Sequence, residues 1–250
     1  MGATRKVGTG VYRVVRFNWH FYLIAAVLLA SAICILPFTS GWINTAGWIL
    51  VSIAAVSVLA SLVVTFYVYD LSGLYRLDWL SQPLLGQPVD VINIHAGFDE
   101  TTPLIISRFP DARVKVFDFF DPEKHTEISI RRARSLYPAF PGTVPIVTEH
   151  IPLPNTSADL ILLIFAAHEI RNEAERIRFF KDCGRVLKND GHILVVEHLR
   201  DLPNALAYNI GCFHFHSART WIDTFKLAEL NVVHTQKINP FVNLYILDKA

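Results

Sequence analysis

From Phe17 to Tyr69 the chain contains no Asp, Glu, Lys or Arg. A helix on the surface of a water-soluble fold keeps a polar stripe, and this stretch has none. A helix that crosses a bilayer needs about 20 apolar residues, and the stretch has room for two. We expect them over Trp19 to Leu36 and Gly47 to Tyr69, with Pro37-Phe38-Thr39-Ser40-Gly41 and Asn44-Thr45 supplying the turn between them. Trp19, Tyr22, Trp42, Trp48, Tyr67 and Tyr69 fall near the span ends, where amphipathic rings favour the interface. The apolar region is too long, and doubled, for a cleaved secretory signal. Arg5, Lys6, Arg13 and Arg16 precede the first span, Arg76 follows the second, and the connecting loop has no cation. This bias places both termini in the cytoplasm.

Beyond Asp70 the charge density is that of an ordinary globular domain. Residues 69–82 (YDLSGLYRLDWLSQ) mix Leu, Tyr and Trp with single charges. They can lie at the interface as an amphipathic helix or pack on the domain that follows. Pro83, Gly86 and Pro88 mark a linker, so residues 1–82 read as a membrane anchor and 83–250 as a second unit. The net charge of +1 gives no electrostatic case for a nucleic-acid partner. Cys34, Cys183 and Cys212 are widely spaced and form no zinc motif, as expected of reduced thiols in a cytoplasmic domain.

The second unit alternates apolar runs with helical patterns. Residues 88–100 (PVDVINIHAGFDE) read as a buried strand, Val89 to Ile94, running into the small turn Ala96-Gly97. A helix over Thr101 to Phe109 follows, with Thr101 or Thr102 as its cap. Next come a strand at Val114 to Phe117 that ends at Asp118, a helix over Pro122 to Tyr137 and a short strand at Pro145 to Thr148. Three arginines near the end of that helix, Arg131, Arg132 and Arg134, suit the helix dipole. Asp159 to Ala166 (DLILLIFA) is the continuous apolar run of a central parallel strand. Asn172 to Leu187 reads as a helix, Asn189-Asp190-Gly191 as a turn, and His192 to Val196 as a fifth strand ending at Glu197. Ser217 caps a helix to Leu230, and Val232-Val233 with Phe241 to Leu247 form a terminal strand pair. Strands alternating with helices give a parallel sheet with right-handed crossovers.

Three runs, EHIPLPNTSADL (149–160), FAAHEI (165–170) and CGRVLKNDGH (183–192), resemble in order and interval the motifs of class I S-adenosylmethionine-dependent methyltransferases of the ubiquinone/menaquinone type. The resemblance covers Val89 to the C-terminus. It implies an α/β fold, a doubly wound, mostly parallel Rossmann-like sheet, here preceded by a two-helix transmembrane hairpin, and S-adenosylmethionine as cofactor. Where the family turn has an acid and three glycines, this chain has Asn93, His95, Gly97 and Asp99. Gly97 lets the backbone approach the methionine part of the ligand. Asn93 can still hydrogen-bond, Asp99 can supply the missing acid, and His95 adds a side chain where the family leaves space. Asp118 matches the acid that accepts the ribose hydroxyls, and Phe119 stacks on adenine or belongs to the core. The family's acid after the third strand falls at Val147, with Thr148 or Glu149 as replacements, and Ala166 lines the cofactor after the fourth strand.

Methyl transfer depends largely on positioning, and a base helps when the acceptor is a hydroxyl or an acidic carbon. His168 and Glu169 after the fourth strand, and His198 beside Glu197 after the fifth, are the candidates. His214 and His216 lie where the family builds its substrate pocket, but an i,i+2 histidine pair alone assigns no metal. No N/D-P-P-Y/F motif follows the fourth strand, which argues against methylation of a base or amide nitrogen. Leu202 to Phe215 (LPNALAYNIGCFHF) is apolar and aromatic. Beside a membrane hairpin it suggests a lipophilic small-molecule acceptor: a quinone precursor, a lipid or a pigment. The alternative is a methyltransferase-like membrane scaffold that has lost its cofactor.

Overall fold

The computed structural model describes residues 6–80 and 86–250; Pro83 and the expected boundary at 82/83 lie outside them. After a short helix α1 (Thr9–Phe17) come two long apolar helices, α2 (Trp19–Ile35) and α3 (Gly41–Phe66). With their flanking turns they form runs of 20 and 36 residues, long and apolar enough to cross a membrane, and almost none of their side chains is buried. The second helix begins at Gly41 rather than Gly47, because Asn44 belongs to its first turns and donates from Nδ2 to Leu36 O at 2.7 Å. The turn is thereby shortened to residues 36–40.

Seven strands form one sheet in the order β3-β2-β1-β4-β5-β7-β6. They are β1 (Asp90–His95), β2 (Arg113–Asp118), β3 (Val144–Pro145), β4 (Ala158–Ile164), β5 (Leu187–His198), β6 (Leu230–Asn239) and β7 (Val242–Lys249). The first five pair in parallel, and β7 runs antiparallel between β5 and β6. The order reverses between β1 and β4, which is the switch point where open α/β sheets bind ligands. The helices of this unit are α4 (Thr102–Arg108), α5 (Ile128–Leu136), α6 (Glu173–Val186), α7 (Leu202–Tyr208) and α8 (Ala218–Leu227).

Side chains alternate between the two faces of the sheet with the period of two that strands impose. Ile92, Ile94, Ile161, Leu163, Ile193 and Val195 face α6 and α8 through Phe179, Phe180, Trp221 and Phe225. Val91, Leu160, Leu162, Leu194, Val196 and Leu244 face the other way, onto Ile105 and Phe109. The remaining cover on that face is Val68, Leu74, Leu77 and Leu80, all buried. The segment after α3 therefore packs on the domain as one of its layers, which settles the two options left open for it by sequence.

Three expected boundaries shift for local reasons. The strand expected over Pro145 to Thr148 is only Val144–Pro145, because the chain turns back just beyond it, His150 N donating to Val147 O at 3.3 Å. The helix expected from Pro122 starts at Ile128, because Asp121 ties residues 121–125 into a turn: its Oδ1 accepts from Glu123 N at 2.9 Å and its carbonyl from His125 N at 2.8 Å. The expected turn at Asn189-Asp190-Gly191 lies inside β5. A Cβ on Gly191 would stand 2.9 Å from Asp159 O, so this glycine permits close strand approach. Asn172 and Ser217 cap α6 and α8, with Glu175 N and Thr220 N donating to their side chains.

Candidate functional site

The register aligns His95 at the end of β1 with Asp118 at the end of β2. Beyond β1 the chain turns at Gly97, whose φ of +95° is left-handed and suits glycine. Arg134 of α5 reaches across this turn: it donates to Asp118 Oδ2, lies 4.5 Å over the Phe120 ring and comes within 3.4 Å of Gly97 O. A Cβ on Gly97 would meet Arg134 Cδ at 2.8 Å. The other oxygen of Asp118 accepts from Phe120 N at 2.9 Å. Gly97 N donates to His95 Nδ1 at 3.1 Å. Burial outweighs the pull of Asp118 and Asp99 and lowers the His95 pKa. The neutral ring therefore carries its proton on Nε2, a buried donor with no hydrogen-bond partner among the described residues.

The other two turn residues serve the start of α4. Asn93 Nδ2 donates to Thr102 Oγ1 at 2.7 Å and Thr101 Oγ1 at 3.2 Å. Asp99 Oδ1 accepts from Thr101 N at 2.8 Å and Thr102 N at 3.0 Å. The helix is thus capped by Asp99, not by either threonine, while Asp99 Oδ2 stays buried without a partner among the described residues.

On the β3 side, Phe119 is a core residue, edge-on to His125 and tilted against Phe179, so it offers no face for adenine. Its neighbour Phe120 is the aromatic at the turn. Thr148 is buried and donates to Glu175, and Lys124 bridges Glu175 at 2.9 Å and Glu149 at 3.5 Å. Ala166 is buried in the core after β4.

The ends of β4 and β5 gather a denser polar cluster. Phe165 follows β4 with φ +51°, a conformation costly for a residue with a Cβ and concentrated at functional sites. It precedes a single 3₁₀ turn, Ala167–Glu169. Glu197, fully buried, accepts from the His168 ring at Nδ1 (2.7 Å) and from its backbone N (3.1 Å). His168 Nε2 lies 3.5 Å and His214 Nε2 3.6 Å from the same oxygen, Glu169 Oε1. His214 Nδ1 is 3.3 Å from Glu127. Burial opposes a charge on His168, but Glu197 and Glu169 outweigh it and raise its pKa to about 10. Burial likewise opposes the charge on Glu169, but His168 and His214 outweigh it and hold its carboxyl far below the usual range.

His198 is placed differently. Its Nδ1 donates to Phe241 O at 2.9 Å and Asn204 Oδ1 at 3.1 Å, and its Nε2 accepts from Tyr69 Oη at 2.9 Å. The ring is sandwiched between Phe165 and Phe215 at centroid distances of 5.0 and 4.9 Å. Burial pushes its pKa down to about 4. With both nitrogens engaged, it ties the segment after α3 to the domain and has no lone pair to offer a substrate.

Helix α1 closes the same edge. Arg13 pairs with Glu100 and lies 4.8 Å over the Tyr137 ring, and Phe17 packs edge-on to Phe98 at 5.4 Å. Arg132 Nη1 donates to Phe17 O at 2.7 Å. Asp70 accepts from Gly10 N at 2.8 Å and Val11 N at 2.9 Å, capping α1 from the far end of α3. Sequence reasoning did not single out Glu127 or Phe120, and it read Arg13 only as a cation flanking the first span and Arg134 only as a dipole partner. The ligands of each are remote in sequence, so local pattern carried no signal.

Residues 125–195 match a family described as a methyltransferase domain. No curated protein matches the chain. A SAM-dependent methyltransferase from Aquifex aeolicus is 15% identical and superposes with a TM-score of 0.53 over 72% of this chain and 94% of its own. A putative type 11 methyltransferase from Sulfolobus solfataricus is 14% identical, with a TM-score of 0.50 over 71% of this chain and 94% of its own. A protein from Pyrococcus horikoshii is similar at 14% identity, TM-score 0.53, over 72% and 90%. The fold is the Rossmann-like methyltransferase sheet. The family match supports a methyltransferase domain.

Proposed function

We propose that the chain is a membrane-anchored S-adenosylmethionine-dependent methyltransferase acting on a small lipophilic acceptor. The observation that carries this reading is the pairing of Asp118 with the left-handed Gly97 turn at the switch point of the sheet. The cofactor fits the polar groups left open there: the buried donor His95 Nε2 and the buried acceptor Asp99 Oδ2, both without partners among the described residues. Asp118 would accept the ribose hydroxyls, and the Gly97 backbone would take the methionine part. When bound, S-adenosylmethionine supplies an electrophilic sulfonium methyl group. The chain's own part is to hold the acceptor in line with it and exclude water.

A lipophilic acceptor is supported by the surface beside the site. Leu202, Leu206, Ile210 and Phe213 are exposed along α7 and the 3₁₀ turn after it. A cavity of about 350 Å³ between α3 and α7 is lined by Ala60, Val64, Leu202, Leu206 and Phe241. In this reading α2 and α3 span the bilayer. Because α1 docks on the domain, both would lie on one side of the two spans, and the flanking cations support the cytoplasm as that side.

Arg134 on Asp118 favours a second reading, a membrane-tethered module without a cofactor. Calorimetric titration of S-adenosylmethionine and S-adenosylhomocysteine into the full chain in detergent separates the two. Binding that weakens at least about tenfold in Asp118→Ala, a loss of about 1.4 kcal/mol, supports the enzyme. No binding by a folded chain supports the module.

A further inference from the structure

We propose that His168, Glu169 and His214 form a binding site for a divalent transition-metal ion of the zinc type. The three donor atoms lie within 4.8 Å of one another, and the histidines come from separate turns, after β4 and before α8. Both imidazole Nε2 atoms converge on one oxygen, Glu169 Oε1, at 3.5 and 3.6 Å. Those separations are long for N–H···O hydrogen bonds, which run about 2.7–3.2 Å. They match the edge of a tetrahedron whose corners are about 2.1 Å from a central ion, roughly 3.4 Å.

The far side of each ring points to the same conclusion. Ligating histidines commonly donate their other ring N–H to a carboxylate, which fixes tautomer and orientation. His168 does so, with Nδ1 2.7 Å from Glu197, and His214 Nδ1 faces the Glu127 carboxylate at 3.3 Å. The rings meet nearly perpendicular, at 85° and 4.9 Å between centroids, so their Nε2 lone pairs approach a common point from different directions. Arg171 Nη1 donates to the backbone carbonyl of His214 and, at 3.4 Å, to that of His168, clamping the two turns together. Once a metal displaces the proton from each Nε2, three carboxylates and one guanidinium leave two negative charges, the charge a divalent ion balances.

Imidazole and carboxylate donors together suit zinc, or another late first-row ion, over magnesium or calcium. Three protein ligands leave a coordination position open, as catalytic sites do. That position suits an oxygen donor such as the phenolate or enolate of an acceptor, a refinement that rests on the methyl-transfer reading. The metal site itself does not.

The test uses the full chain in detergent, stripped with a chelator and then titrated with Zn²⁺ and Co²⁺, without S-adenosylmethionine. Metal content and the visible absorption of bound cobalt are read. Expected is about one ion per chain, with the intense bands of four- or five-coordinate cobalt. Glu169→Gln and His214→Ala should each weaken binding at least about tenfold. Glu197→Gln, which leaves all three ligands in place, should cost about 10- to 100-fold, and the exposed His234→Ala should change nothing. His214 is partly exposed on a surface turn, so its variant serves even where changes at buried Glu169 or Glu197 impair folding. No uptake by folded wild type at micromolar free ion, or uptake unchanged in His214→Ala, overturns the proposal. Calorimetry of S-adenosylmethionine on the stripped chain reports on the methyl-transfer reading separately.

Discussion

Removing residues 1–80 would strip part of the cover from one face of the sheet. Val68, Leu74, Leu77 and Leu80 are 0–2% exposed and pack on Val91, Leu160, Leu162 and Leu194. Burying one such side chain contributes about 1.5–3 kcal/mol, so the four together contribute roughly 6–12 kcal/mol. That is an upper figure, because an unfolded chain already hides part of this surface. The Tyr69–His198 hydrogen bond is lost as well. The sum rivals the whole stability of an ordinary domain, about 5–15 kcal/mol. We therefore expect a fragment starting at Ser81 to be molten or aggregated, and one starting at Tyr67 to fold. Purifying both and comparing circular dichroism and thermal unfolding decides the matter. A monomeric Ser81 fragment whose midpoint lies within a few degrees of the longer one would refute the reasoning, and residues 67–80 would then be a dispensable strap.

Three further outcomes follow from single groups. Arg134→Gln removes a competitor for Asp118, and for a pair this exposed on one side the gain is about 0.2–1 kcal/mol. S-adenosylmethionine should bind up to about fivefold more tightly by calorimetry, and weaker binding would mean that Arg134 contacts the ligand. Asp70→Ala leaves two N–H groups of α1 uncapped, at about 0.5–2 kcal/mol, so trypsin should cleave at Arg13 and Arg16 faster than in wild type. Burial lowers the His198 pKa from 6.5 to about 4. The unfolded chain therefore takes up the proton first, and the stabilisation is full above pH 6.5 and declines as pH falls toward 4. The decline is at most about 3 kcal/mol, and His198→Gln should flatten the wild-type slope of thermal midpoint against pH in that window.

The strands were legible because buried parallel strands are continuous apolar runs, and DLILLIFA can be little else in a domain of this size. The cap at Ser217 was legible for the same local reason: a side-chain acceptor followed three residues on by a helical N–H. Gly191 misled because a glycine that admits a neighbouring strand and a glycine that makes a turn look alike in sequence. Only the carbonyl of Asp159, in the next strand, distinguishes them. At the site, His168 and Glu169 could be picked out as polar residues at the end of an apolar strand. Their pairing could not, since Glu197, Glu127 and His214 arrive from three other segments. Glu197 beside His198 read as a pair, yet successive residues of a strand point to opposite faces, and its partner is His168.

That same alternation explains why the apolar hairpin and the site form one construction. Glu197 turns to the face that carries His168, while His198 turns to the face covered by residues 68–80 and takes its hydrogen bond from Tyr69. The last two residues of β5 therefore connect the polar cluster, through a single peptide, to the end of α3. Helix α1 adds a second connection, since Asp70 caps it and its Arg13 and Phe17 rest on Glu100 and Phe98 beside the Gly97 turn. Ser57 and Asn209 add a third, at 2.8 Å between α3 and the turn that leads to His214. A displacement of α3 relative to the sheet would have to stretch all three at once. In the proposed topology an acceptor leaving the bilayer along α3 would meet Leu206 and Phe241 first, then the turn that carries His214. The membrane segment would thus set the direction from which the site is entered as well as its location.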